Sequence, residues 1–172
     1  MKFWIGVVAI GMLVAGCTHA PVGGIRAVAT LEPTKGNAAV GTVEFIQRGN
    51  SVFVVADVLG LSAGPHGFHI HDKGDCSSGD GMSAGGHFNP GGKQHGSPLM
   101  PSHHAGDMPM LLAEPSGKAS LRTEVEGVTV GDGAATDIVG RAVIVHKDPD
   151  DLTTQPTGNS GARVACGVVR RS

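Results

Sequence analysis

The stretch Ala119-Ser120-Leu121-Arg122-Thr123-Glu124-Val125-Glu126 decides the fold class, because Ala, Leu, Thr and Val alternate in it with Ser, Arg and Glu. A period of two puts successive side chains on opposite faces of a strand, so one face meets a core and the other meets water. No segment of the chain carries a sustained helical period with capping residues. The pattern therefore predicts β-structure and argues against a helical fold.

Further short runs rich in β-branched residues lie on both sides of this stretch and are separated by Gly, Pro, Asn and Asp. They are Gly24–Leu31, Ala39–Gln47, Val52–Leu59, Phe68–His71, Met108–Ala113, Ile138–Val145 and Ala162–Val169. Together they predict an all-β sandwich or barrel of about eight antiparallel strands. His71–Asp107 and Lys147–Gly161 lack the pattern, and loops of such length are usually functional.

Composition limits the range of functions. At 172 residues the chain fits one domain with its own core. Only 16% of the residues are charged and the net charge is −2, which excludes a basic surface for nucleic acid. The 28 glycines and few aromatic residues suit tight turns and irregular loops.

The N-terminus has the features of a processing signal. Lys2 precedes the apolar run Phe3–Gly16, which is too short to span a bilayer, and the run ends in the lipobox-like Leu13–Cys17. We predict a lipoprotein-type signal peptide at residues 1–16, a lipidated Cys17 with a linker to residue 24, and a folded domain at 25–172. An ordinary secretory signal cut near Ala20 is the alternative. Either signal predicts export to the periplasm or cell envelope, and a lipid on Cys17 would tether the chain to a membrane.

The three cysteines agree with export once Cys17 is assigned to the lipid. Cys76 and Cys166 then remain as a pair, and an oxidising compartment favours a disulfide over two free thiols. Such a bond would close a loop of about ninety residues, which stabilises a fold by roughly 2–5 kcal/mol. A reduced pair is the alternative.

Histidine is the most informative residue type, because most of the 9 histidines lie between His66 and His104. In Gly67-Phe68-His69-Ile70-His71 the strand period points His69 and His71 to the same side, with Phe68 and Ile70 packed behind them. Two imidazoles on one face can hold a single metal ion. A lone His-x-His motif also occurs by chance on protein surfaces, so its neighbours in the sequence matter.

Four more candidate ligands follow within the long loop, and a fifth lies beyond it. His87, His95, His104 and Asp107 make a nitrogen and oxygen set that suits tetrahedral zinc with no open position. Each of them alone is equally typical of a solvated loop residue. His146 ends a strand-like run, where a histidine is more often structural than a ligand.

Six segments, in this order, resemble the copper-zinc superoxide dismutase family in its bacterial, exported form. They are His66–His71, Gly85–Pro90, His95–Gly96, His104–Asp107, Gly140–His146 and Gly161–Val168. The segments cover most of the chain after residue 40, and the spacing from His87 to Asp107 is that of the family's zinc loop. The resemblance implies a flattened Greek-key β-barrel with two long loops covering a metal site.

The resemblance also implies a ligand set. Copper would be bound by His69, His71, His87 and His146. Zinc would be bound by His87, His95, His104 and Asp107, so that His87 serves both ions. His66 and His103 match positions that bind neither metal.

Further roles follow from the same resemblance. Arg163 matches the arginine that attracts and orients superoxide, and His87 the residue that supplies a proton. Cys76 and Cys166 match the family's intrachain disulfide. Asp150 matches an acid that hydrogen-bonds to a copper histidine and a zinc histidine, with Asp148 and Asp151 as close alternatives.

The implied activity is dismutation of superoxide to oxygen and hydrogen peroxide by a copper that is alternately reduced and oxidised. A homodimer is allowed by the resemblance but not indicated by it. The rival hypothesis is a non-enzymatic envelope protein that binds copper and zinc, which would need the ligands but no open copper position.

Overall fold

The computed structural model describes residues 24–172, which form nine β-strands and one 3-10 turn, Met82–Ala84, with no α-helix. The strands are β1 (Arg26–Pro33), β2 (Val40–Arg48), β3 (Ser51–Leu59), β4 (Gly64–His66), β5 (Phe68–His71), β6 (Leu111–Ala113), β7 (Ala119–Glu126), β8 (Ala142–His146) and β9 (Arg163–Arg171). In this part of the chain no helix has the length and apolar character needed to cross a bilayer. The predicted signal peptide and Cys17 lie outside the described residues.

Seven strands form one curled antiparallel sheet in the order β5-β8-β9-β1-β2-β3-β7, and β4 pairs with β6 in a small second sheet. The C-terminal strand β9 lies between its sequence neighbour β8 and the first strand, β1. The all-β class is confirmed, and the topology is consistent with a Greek-key barrel. Phe45, Phe68 and Phe88 are fully buried within the main core.

The eight predicted strands are all present, but some of them begin or end at other residues than predicted. β6 begins at Leu111 and not at Met108, because Pro109 has no N–H for a ladder and the residues before it belong to the long loop. β8 begins at Ala142 and not at Ile138, because Arg141 donates its N–H to the Ile138 carbonyl in a turn. The short strand β4 was not predicted, since three residues carry too little pattern.

Strand β5 is buried on both faces, and this positions the functional residues. Phe68 and Ile70 point into the main core, while His69 and His71 point toward the long loops. One edge of β5 pairs with β8. The other edge is closed by the loop after it: Ile70 accepts the Phe88 N–H and donates to the Gly106 carbonyl. A Cβ on Gly106 would collide with the Ile70 carbonyl oxygen, so only glycine allows this approach.

Two cross-links hold the long loops against the barrel. A disulfide joins Cys76, in the loop between β5 and β6, to Cys166 of β9. The loop between β8 and β9 folds back on itself, with the Lys147 N–H donated to the Ala162 carbonyl and the Asp148 N–H to the Ser160 carbonyl. Both loops are thereby brought to the same face of the β5-β8-β9 sheet.

Candidate metal centre

Four buried histidines form the first ligand group. Their candidate donor atoms lie within 4.8 Å of one another, and the residues are His69, His71, His87 and His146. In each ring the nitrogen that faces the others has no hydrogen-bond partner among the described residues: Nδ1 of His69, and Nε2 of the other three. Buried polar atoms without partners are costly and rare in proteins. A metal ion at their centre would accept all four lone pairs.

Three imidazoles and one carboxylate form the second group. Oδ1 of Asp107 lies 2.8 Å from Nδ1 of His87, 3.0 Å from Nδ1 of His95 and 3.6 Å from Nδ1 of His104. All four residues are buried, and their donor atoms lie within 4.8 Å of one another. Four donors converging in this way suit a small ion with tetrahedral coordination.

His87 belongs to both groups. Its Nδ1 points to Asp107 in the second group, whereas its Nε2, which has no hydrogen-bond partner in residues 24–172, faces the first. The ring of His69 lies 4.0 Å from that of His87, centroid to centroid, and that of His104 lies 5.5 Å away on the other side. A single imidazole therefore separates two candidate ion positions.

The ring nitrogens that face away from these positions are held by the protein. Nδ1 of His71 donates to the Gly85 carbonyl at 2.9 Å, and Nδ1 of His146 lies 3.3 Å from the Gly161 carbonyl. Such contacts fix the tautomer and the ring orientation of a metal-binding histidine. The glycine carbonyls of the two long loops thus orient ligands carried by the strands.

Asp150 spans the two groups. Its Oδ2 lies 2.6 Å from Nε2 of His69, and its Oδ1 lies 2.8 Å from Nε2 of His95. The alternatives Asp148 and Asp151 are exposed, and the Asp151 carboxylate instead accepts hydrogen bonds from Thr153 and Thr154.

Arg163 lies beside the first group. It pairs with His146 across β8 and β9, where a β-bulge leaves Val164 unpaired. Its Nη1 donates to the Gly81 carbonyl and its Nη2 to the Gly85 carbonyl, both at 2.6 Å. The Gly85 carbonyl therefore accepts hydrogen bonds from both Arg163 and His71.

The two remaining histidines of the cluster lie outside both groups. Nδ1 of His66 donates to the His146 carbonyl at 2.8 Å, and Nδ1 of His103 to the His104 carbonyl at 2.7 Å. Both hold the main chain of a candidate ligand.

Comparison with known families agrees with this geometry. A sequence model described as copper/zinc superoxide dismutase (SODC) matches residues 39–169. The chain belongs to the copper/zinc superoxide dismutase family. A solved structure, that of the clock protein EA4, is 34% identical and superposes with a TM-score of 0.78. The similarity covers 88% of this chain and 98% of that one.

In this member of the superoxide dismutase family, burial favours the neutral form of three histidines of the first ligand group. Burial lowers the pKa of His146 to about 4, and it holds the pKa values of His69 and His71 well below the ordinary value, with a further contribution from His87. Burial opposes ionisation of Asp107, but the hydrogen bond and charge of His87 lower its pKa to about 2. Neutral imidazoles and an ionised carboxylate are the forms that bind metal ions.

The sequence did not indicate two residues that contact the site. Gly158, at φ +68°, lies so close to Oδ1 of Asp150 and Nε2 of His95 that no Cβ fits there. Gln155 hydrogen-bonds to the main chain of His95. The Gly-Asn pair at 158–159 marks a turn, but no sequence signal shows what that turn contacts.

We predict that the metal-free protein loses stability on acidification. The unfolded chain protonates His146 below about pH 6.5, while the folded chain resists protonation down to about pH 4. The free energy of unfolding therefore falls across this window, by roughly 3 kcal/mol for His146 alone. Protonation of Asp107 lowers the free energy of unfolding further between about pH 3.8 and 2. Urea unfolding with a chelator present, repeated at several pH values, measures this.

A matched variant tests whether His146 causes this loss of stability. His146→Gln removes the titrating ring, so its stability should depend less on pH between 6.5 and 4. Equal pH dependence in the variant and the parent would contradict the assignment.

Proposed function

We propose that this protein catalyses the dismutation of superoxide, in which two superoxide anions and two protons yield one oxygen and one hydrogen peroxide. The observation that carries the proposal is the position of His87, whose two ring nitrogens point into two different buried ligand groups. Storage of metal ions does not require two ions to share one ring. When Nε2 of His87 is not bound to an ion, the same ring also provides an atom that can hold a proton next to the reacting site.

The donor sets support different metals at the two positions. Four imidazoles, from His69, His71, His87 and His146, suit copper. The set of His87, His95, His104 and Asp107 suits structural zinc. When bound, copper supplies the one-electron couple that oxidises one superoxide and reduces the next, while zinc holds the second group together.

Residues of the chain supply the remaining chemistry. Nε2 of His87 can take up a proton and give it to the peroxide product, because Nδ1 stays with the Asp107 group and keeps the ring oriented. Asp150 holds the outer nitrogens of His69 and His95, and so fixes one ring in each group.

Arg163 supplies a positive charge for the substrate anion. Within residues 24–172 the guanidinium donates two hydrogen bonds, to the Gly81 and Gly85 carbonyls, so other N–H groups remain for a small anion. Its charge contributes to the lowered pKa values of His71 and His146, which means that its field reaches the copper side. Superoxide dismutase is itself the standard example of electrostatic steering of this kind.

Metal analysis with an activity assay tests the function. The parent chain, loaded and dialysed, should carry one copper and one zinc, as its two ligand groups require, and should dismutate superoxide. His146→Ala should lose copper and activity but keep zinc, whereas Asp107→Ala should lose mainly zinc. Glu126→Ala is the control, since its exposed carboxylate at the end of β7 lies in neither group.

Two outcomes would contradict the proposal. Full copper occupancy in His146→Ala would remove this residue from the copper site. A parent protein that binds both metals but has no superoxide-dependent turnover would favour the non-enzymatic metal-binding alternative, since a shared fold does not fix function.

Arg163→Ala should slow turnover while both metals stay bound. The loss should be roughly 10-fold in kcat/KM at low salt, and should shrink as salt screens the guanidinium. Arg122→Ala, which removes the same charge from an exposed position on β7, is the matched control. Equal turnover and equal salt dependence in parent and Arg163→Ala would rule out a steering role.

We also propose that the chain is exported and bound to a membrane by a lipid on Cys17. The run Leu13–Cys17 supports this, as does the disulfide, because such bonds persist in oxidising compartments. Cys17→Ser should move the protein from the membrane fraction to the soluble fraction and abolish labelling by fatty acid, with specific activity unchanged. Continued fatty-acid labelling of the variant would contradict the lipid site.

A further inference from the structure

The Gln155 side chain binds the main chain of His95 at two points. Its Oε1 accepts the His95 N–H at 2.9 Å, and its Nε2 donates to the His95 carbonyl at 2.9 Å. His95 lies in no strand, so its backbone groups have no ladder partner. One uncharged side chain from the β8–β9 loop thus satisfies both backbone groups of a candidate zinc ligand.

The ring of His95 is held at two further points. Its Nδ1 lies 3.0 Å from Asp107, and its Nε2 lies 2.8 Å from Asp150. The side chain is fully buried. With the main chain fixed by Gln155, each polar group of His95 has a partner in a defined direction, and two of the four partners come from Gln155.

Gln155 projects from a closed turn. The Asp151 carboxylate accepts the N–H groups of Thr153 and Thr154, and its hydrogen bonds with Thr154 lower its pKa to about 2. The Asp151 N–H is donated to the Gly158 carbonyl, and the Gly158 N–H to the Thr154 carbonyl. Nε2 of Gln155 also donates to the Thr153 carbonyl at 3.2 Å. The turn therefore holds the amide of Gln155 in place independently of its contacts with His95.

We propose that Gln155 is a positioning residue for the zinc side of the centre, which sets zinc affinity by fixing the main chain of His95. Asp150 and Gln155 lie in the same loop, so this loop orients His95 through both its ring and its backbone. The proposal rests on the assignment of His95 to zinc under the proposed function.

Gln155→Met tests this, because methionine keeps the length of the side chain and removes both hydrogen bonds to His95, together with the one to the Thr153 carbonyl. The zinc dissociation constant, measured by competition with a chelator, should rise about 10-fold, as for other groups that hold a metal ligand in place. Copper content should not change. Cobalt(II) bound in place of zinc should show an altered visible spectrum, which reports the geometry of the ligands.

The control is Gln94→Met, the same substitution at the exposed residue directly before His95. Its side chain makes no hydrogen bond within residues 24–172, so zinc affinity should equal that of the parent. A second test variant, Gln155→Glu, keeps the shape but places a carboxylate oxygen against the His95 carbonyl. Its zinc affinity should fall at least as far as that of Gln155→Met.

Three results would overturn the proposal. They are an unchanged zinc dissociation constant in both Gln155 variants, an equal change in Gln94→Met, and an equal loss of Tm in the metal-free and zinc-bound forms. The last would indicate a purely structural role. A parent chain that binds no zinc would instead refute the assignment of the metal site, so the two failures are distinguishable.

Discussion

One shared imidazole ring, that of His87, is the constraint on which the rest of the centre depends. Its Nδ1 faces the carboxylate of Asp107, and its Nε2 faces three histidines carried by β5 and the end of β8. The ring can serve both groups only if the loop that carries it lies flat against the edge of β5 that does not pair with β8. The main-chain hydrogen bonds of Ile70 with Phe88 and Gly106 hold it there.

The barrel and the loops position the candidate ligands in different ways. Strands fix His69, His71 and His146 through ladder registers, and each register is enforced by apolar residues on the opposite face. The loops supply the remaining ligands and the groups that orient them. Since loops lack a ladder, their geometry comes from specific contacts: the disulfide, the carboxylates of Asp107 and Asp150, and glycines that allow close approach.

This division explains how far the sequence predicts the structure. Alternation predicts strands such as Ala119–Glu126, and the resemblance to a family identifies the seven residues that meet in the two groups. Strand ends were less accurate, because Ile138 and Val139 favour strands but belong to a turn, and because residues 108–110 still belong to the long loop. Gln155 could not be predicted, because its partner is the backbone of a residue 60 positions away, and backbone atoms carry no sequence signal.

The carbonyl of Gly85 accepts hydrogen bonds from two residues, His71 and Arg163, that a protein engineer would prefer to change separately. One peptide plane orients both the His71 ring of the first ligand group and the guanidinium of Arg163. Gly85 has φ +73°, a backbone conformation that residues with a side chain rarely adopt. If Arg163 receives an anion as proposed, an engineer who reshapes that entrance for a larger or differently charged substrate must leave this peptide untouched, because any shift of it also turns the His71 ring.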